Sequence, residues 1–457
     1  MRYANALLCA TFLLSGCADR IASPEKASKH AGDALAMRLP SSFSAPHRSG
    51  DVENDWISAF GDKALIKLVD EGMRYNPDLK QAAARVERAA ALTALTRSGA
   101  LPQAGISGFY HDNNNAGADE VAFGGVGISW EPDVWGRIAN ATAASYARTF
   151  SAAADYYYAR QSLAGRIART WFELNAAEAI YHFNKRIVTL QKKSAEILKK
   201  REEIGQGTLR DVHLANALVA TAQDAAVAAK EKKERTARAL EILIGRYPSA
   251  TLRAGRLLHR LPPVPAGLPA EILARRPDIV AAQARVAAAF HDVEAAKMLK
   301  LPSVRLKLGA GPNTLNDAVT SLAAGIFAPL YTGGAIEARI ARANAEQQAA
   351  VAAYAKTVLR ALREVEDALA SDAYLSRRYR YANKAVREYK AAYEMSLQNY
   401  RIGKATLMDV LIVQGKWIRA EITRLTIAKA RLDNRVRLYL ALGGDFEIPD
   451  ANRTKAK

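Results

Sequence analysis

The 457-residue sequence predicts a mainly α-helical, internally duplicated chain with a small membrane-spanning β part. Three observations predict it. Short motifs recur in the same order at a nearly constant offset, two proline-free stretches are long enough for very long helices, and each half contains segments whose apolar period drops from that of a helix to that of a strand.

The duplication comes first, because it decides how everything else is read. Asn76-Pro77-Asp78-Leu79 matches Arg276-Pro277-Asp278-Ile279, Ala84-Arg85-Val86 matches Ala284-Arg285-Val286, and Leu101-Pro102 matches Leu301-Pro302, all at an offset of 200. The stretch from Ile204 to Val212 matches Ile402 to Val410 at 198, and Pro132 and Gly136 match Pro329 and Gly333 at 197. A unit this long is no solenoid repeat and points to two-fold pseudo-symmetry.

The chain opens with Met1-Arg2, an apolar stretch from Ala6 to Leu14, and Leu14-Ser15-Gly16-Cys17. Charge order, length and small residues resemble a bacterial lipobox, so residues 1–16 are a lipoprotein signal peptide and Cys17 is the lipidation site. Removal of the peptide discards Cys9, the only other cysteine. Ala18, not aspartate, follows Cys17, which favours outer-membrane sorting. Residues 17–55 then form a lipidated linker, 56–245 the first repeat, 246–270 an equatorial connection, 271–444 the second repeat and 445–457 a tail.

Within each repeat the pattern changes in the same order. Leu65 to Gly99 and Glu271 to Lys300 have helical spacing, with Pro77 and Pro277 near a first turn and Asp78 and Asp278 favourable to the helix dipole. Beyond Pro102 and Pro302 the period falls to two, giving strands at about 103–111 and 121–130 and at about 303–310 and 321–328. Val304, Leu306 and Leu308 alternate with Arg305 and Lys307. Arg or Lys facing lipid costs ~2–4 kcal/mol near the midplane, so these two cations belong on the lumen side. Four strands do not close a barrel, since outer-membrane barrels need at least eight, so the chain must oligomerise.

Gly136 to Ile204 and Gly333 to Ile402 contain no proline. At ~1.5 Å per residue each reaches ~100 Å. Helical patterns from Leu209 to Gly245 and from Glu271 to Lys300 together return over a similar length, which describes a hollow helical tube with strands at one end and glycine turns at the other.

Composition narrows the function classes. A net charge of +19 invites nucleic acid, but 50% hydrophobic and 24% charged residues exclude a disordered polybasic tail, and no recognition motif is present. An export signal argues in the same direction. The seven histidines are scattered, and no HExxH, GxSxG, Walker A or GxGxxG motif occurs, so neither an enzyme, a metal site nor a cofactor is expected. No stretch is long and apolar enough for a transmembrane helix, which leaves strands to cross any membrane.

Taken together, the lipobox, Trp130-Glu131-Pro132-Asp133-Val134-Trp135-Gly136-Arg137, the paired Ile-Gly-x-x-Thr-Leu-x-Asp-Val turns, Leu273-Ala274-Arg275-Arg276-Pro277-Asp278-Ile279 and Pro329-Leu330-Tyr331-Thr332-Gly333-Gly334 resemble the TolC/OprM family of outer-membrane efflux channels, in its NodT-type lipoprotein branch. The resemblance implies a homotrimer with a 12-stranded β-barrel continuous with a 12-helix periplasmic α-barrel. It implies an outer-membrane exit duct for drugs or other small toxic compounds, working with a periplasmic adaptor protein and a proton-driven inner-membrane transporter. A periplasmic coiled-coil scaffold lipoprotein without a pore, and the outer-membrane component of a type I protein secretion system, are the alternatives.

The same resemblance assigns a gate to the periplasmic tip. Asp211, Tyr400 and Asp409 fall at its gate positions, with Tyr400 to Asp211 as a latch and Asp409 as a three-fold acidic ring. Ile412 and Ala405 depart from the family pattern, with the basic residue one place early at Lys404. Plain helix-start carboxylates stabilised by the dipole are the alternative for Asp211 and Asp409. Gly205, Gly207 and Gly403 form the tip turns, where an adaptor would dock. Arg305 and Lys307 either favour anionic cargo or simply hydrate the pore. Trp130, Trp135, Tyr110 and Tyr331 lie near strand ends, as interfacial aromatics or as packing residues.

Overall fold

The computed structural model describes residues 40–444 apart from 49, 51, 53–55, 112–120, 259–260, 263, 268 and 313–317. The signal segment, Cys17 and the tail from 445 lie outside the described residues, as do the turns at 112–120 and at 313–317. In chain order the elements are α1 (Trp56–Ala59), α2 (Lys63–Tyr75), α3 (Pro77–Ser98), β1 (Gln103–His111), β2 (Val121–Trp130), α4 (Arg137–Glu203), α5 (Leu209–Leu243), α6 (Glu271–Arg275), α7 (Pro277–Lys297), β3 (Ser303–Pro312), β4 (Ala318–Phe327), α8 (Ala335–Arg401) and α9 (Leu407–Ala441).

Both very long helices are present, α4 and α8, each of 67 residues. The helical patterns around Pro77 and Pro277 are broken into two helices apiece. Asn76 and Arg276 are extended, because a residue preceding proline is pushed out of the α region, and the prolines restart the helices as α3 and α7. α7 tightens into a 3₁₀ turn at Met298–Lys300 before β3. The second hairpin also exceeds the alternating stretch: β3 runs on to Pro312 and β4 begins at Ala318.

The four strands form one antiparallel sheet in the order β1-β2-β3-β4. Directly paired residues share a face. Ile106 pairs with Val126, Ile128 with Leu308, Trp130 with Leu306, Leu308 with Leu322 and Val304 with Ile326, which makes one face continuously apolar. On the other face Gly127 pairs with Gly105 and Gly309, Lys307 with Ser129 and Ala323, and Arg305 with Gly325.

Near the sheet the helices follow the strand order: α3 packs on α4, α4 on α7, and α7 on α8. Towards the tip α5 packs on α4, α4 on α9 and α9 on α8. The main core sits between these two halves, where α1 and α2 cover α4 and α9. Trp56, Phe172, Leu432 and Tyr439 are fully enclosed there, with Trp56 stacked on Tyr439 at 5.9 Å between ring centroids. A smaller cluster nearer the tip joins α4 to α9 through Trp417, which stacks on Tyr393 at 5.4 Å and meets Phe183 edge-on. No helix among the described residues is long and apolar enough to cross a membrane.

Candidate functional site

The sheet is built to be wetted differently on its two sides. On the apolar side Ile106 is 88% exposed, Leu322 80% and Ile326 77%, which is untenable in water for so large a contiguous patch and suits hydrocarbon. The glycine- and serine-rich side carries Arg305 and Lys307 near the end joined to the helices. Arg305 lies 4.0 Å from Glu131, which is also paired with Arg137 at 2.6 Å, so its charge is partly balanced. Lys307 has no ion-pair partner among the described residues.

The junction between sheet and helices differs between the repeats. In the first, Asp133 accepts the N–H groups of Ile138 at 3.0 Å and Ala139 at 2.6 Å and so caps α4. In the second, Leu330 stands at the corresponding position, 96% exposed, and α8 begins after Gly334 without a side-chain cap. Trp130 donates its ring N–H to the Ala100 carbonyl at 2.9 Å and Trp135 to that of Pro302 at 2.5 Å, so both stitch strand ends to neighbouring loops. Tyr331 is 91% exposed beside Leu330. The Tyr110 side chain lies outside the described ones.

Midway along the tube, buried charges fasten the elements together. Arg276, 2% exposed, donates to both Asp278 carboxylate oxygens at 3.0 and 2.9 Å and pairs with Glu364 at 2.8 Å. Burial alone would depress the guanidinium, but Asp278 and Glu364 hold it well above the usual arginine range. Glu241, also buried, accepts the N–H groups of Ala250 at 2.7 Å, Thr251 at 2.8 Å and Leu252 at 3.1 Å. Burial opposes its ionisation, yet those donors keep the carboxyl below its ordinary range. Neither residue stood out as a candidate in the sequence; the one sign was Arg276 replacing Asn76 in an otherwise matching motif.

At the tip the two turns are near copies. Gly205 has φ +73° and Gly403 φ +76°, which an L-residue with a Cβ adopts only under strain. Gly207 has an ordinary φ, and its reason is space: a Cβ there would lie 3.0 Å from the Glu202 nitrogen. Thr208 and Thr406 cap α5 and α9. Asp409 closes a capping box, accepting the Thr406 N–H at 2.9 Å and hydroxyl at 2.7 Å, and these bonds lower its pKa. Asp211 lies 3.9 Å from Arg210. Tyr400 is not hydrogen-bonded to Asp211 within the protomer; its ring lies under the Arg201 guanidinium at 5.1 Å. Lys404 and Ile412 are exposed around this turn.

With this geometry in view, comparison with known proteins is specific. The family model described as Outer membrane efflux protein matches residues 68–246 and 268–444, one match per repeat. The pyoverdine export outer membrane protein OpmQ of Pseudomonas putida is 28% identical over 426 residues, covering 87% of this chain and 89% of its own. The toluene efflux pump outer membrane protein TtgF, also of Pseudomonas putida, is 28% identical over 458 residues and covers 95% of each chain. Among solved structures, the open state of the MtrE outer membrane channel of Neisseria gonorrhoeae superposes with a TM-score of 0.81 at 26% identity over 89% of this chain and 96% of that one. The CmeC outer membrane channel of Campylobacter jejuni gives 0.83 at 23% identity over 92% and 96%. The chain belongs to the outer membrane efflux protein family.

Proposed function

We propose that three copies of this chain form the outer-membrane exit duct of a tripartite efflux pump, conducting small organic compounds passively from the periplasm to the exterior. One observation carries it above the others: a four-stranded sheet with one continuous apolar face and two unpaired edges, β1 and β4, fused to helices of ~100 Å. In hydrocarbon an unpaired strand edge costs several kcal/mol per group, so β4 of one copy must pair with β1 of the next. Three copies supply twelve strands. A coiled-coil scaffold without a pore has no use for such a sheet.

The chain works in the outer membrane, and Cys17 tethers it there by lipid. Because it offers only a path, its energy comes from partners: a periplasmic adaptor that docks on the turns around Gly205, Gly207 and Gly403, and a proton-driven inner-membrane transporter. Relatives named for toluene and pyoverdine export support small organic cargo rather than a secreted protein. The tip is the gate. Tyr400 and Asp211, one from each repeat's hairpin, supply its latch. Asp409, exposed on its capping box, contributes one carboxylate per copy to a ring.

The purified protein tests the duct directly. It should run as a trimer that dissociates on heating, and produce ion conductance in planar bilayers. A monomer without conductance would favour the scaffold.

A further inference from the structure

Residues 250–257 of the connection between α5 and α6 border an open groove of roughly 700 Å³ along the seam between α4 and α9. Arg186 of α4 and Arg253 and Arg256 of the connection line it, all exposed. None of the three has a carboxylate within ion-pair distance among the described residues. The acidic residues of its walls are already neutralised: Glu178 lies 3.1 Å from Lys233 and 2.8 Å from His182, and Glu421 lies 2.7 Å from Arg424. The surplus in the groove is therefore positive.

Its position limits what fits. The protomer's edges towards the tip are α5 and α8, so a seam between α4 and α9 is not covered by a neighbouring copy. Glu178 lies far along α4 from Arg137, ~60 Å at the helical rise, which puts the groove well away from lipid headgroups. Protein interfaces are centred on buried aromatic or aliphatic anchors. This groove has no Phe, Tyr or Trp in its lining, and Leu257 and Leu425 are already buried in the core. Guanidinium groups without such anchors match a hydrated polymer bearing carboxylates.

We propose that the groove binds free carboxylates of the peptidoglycan peptides, so that the trimer grips the cell wall around its own waist through three equivalent sites. This rests on the trimeric outer-membrane placement proposed above, but not on conduction. Purified peptidoglycan sacculi should pellet the detergent-solubilised trimer. The Arg186→Ser, Arg253→Ser, Arg256→Ser variant should bind about ten-fold more weakly, as befits the loss of three solvent-facing ion pairs per protomer, while remaining trimeric and conductive. A variant with lysine at all three positions should retain most binding, and sacculi whose carboxylates have been converted to amides should not pellet the wild type. Equal pelleting of the serine variant and the wild type, or undiminished pelleting by amidated sacculi, would overturn the proposal. So would failure of the wild type to pellet at all.

Discussion

Asn76 and Arg276 stand at corresponding places in the two repeats and hold corresponding groups. The Asn76 side-chain amide donates to the Leu243 carbonyl at 2.8 Å, and the Arg276 guanidinium donates to the Ala441 carbonyl at 3.2 Å. Each fastens the start of one helix to the end of another, α3 to α5 and α7 to α9. Asn76 also caps α3 by accepting the Leu79 N–H at 3.0 Å, whereas Arg276 recruits Asp278 and Glu364. Losing the arginine should therefore be worse. Arg276→Ala leaves the nearly buried Asp278 with only Arg360, 3.4 Å away, as its charged partner and should cost about 1.5–3 kcal/mol, against roughly 1 kcal/mol for the lost cap in Asn76→Ala. Thermal unfolding gives the order, and equal midpoints would contradict it.

Glu241 links pH to the connection between the repeats. Its folded pKa lies below the ordinary value of 4.5, so its contribution is complete above that value and is lost as pH falls through the lower folded pKa. Amide exchange at Ala250, Thr251 and Leu252 should be pH-insensitive in protection near neutrality and should lose protection only under acid conditions. Glu241→Gln, which offers one acceptor oxygen instead of two, should expose these amides at neutral pH at a cost of about 1–3 kcal/mol.

The tip glycines separate by cause. Gly205→Ala and Gly403→Ala meet no neighbouring atom, so their cost is backbone strain alone, about 1–2 kcal/mol. Gly403→Asn should be milder, because asparagine tolerates the left-handed region. Gly207→Ala instead presses on the backbone at Glu202, and changing its neighbours' side chains should not relieve it. Hydrogen exchange at the end of α4 and the start of α5 reports the difference.

If Tyr400 and Asp211 form the latch, Asp211→Ala and Tyr400→Phe should each raise single-channel conductance or open probability, and the double variant should add little to either. Unchanged conductance in both single variants would remove the latch. Asp409→Asn should weaken cation preference at the tip without the same opening.

In the barrel, the two cations should not act alike. Lys307→Ser should shift anion-to-cation permeability more than Arg305→Ser, because Glu131 balances part of the Arg305 charge. Identical shifts would argue against that pairing in the assembled pore. Leu322→Lys, on the opposite face, should impair assembly, with a cost of about 2–4 kcal/mol if the site lies near the midplane.

Much of this architecture was legible because it repeats. Proline-free stretches and a drop in period to two locate α4, α8 and the hairpins, since backbone geometry imposes those signals locally. The breaks at Asn76 and Arg276 were marked by the prolines that follow them, yet continuous helical spacing hid them. Arg276 and Glu241 were not legible as a group. Their partners Glu364 and the amides of residues 250–252 come from elements that no local pattern connects.

By itself, then, the sequence determined the duplicated order of helices and strands, the two faces of the sheet and the left-handed turns at the tip, all consequences of periodicity and of where glycine and proline stand. Tertiary structure decided which groups meet. It put Arg305 beside Glu131, left Lys307 without an ion-pair partner among the described residues, drew Asp409 into a capping box and placed Tyr400 under Arg201. It also left α5 and α8, with β1 and β4, as the open edges of the protomer. The reason is physical: period and turn chemistry act over a few residues, whereas a charge or a strand edge is satisfied only by what packing brings alongside it.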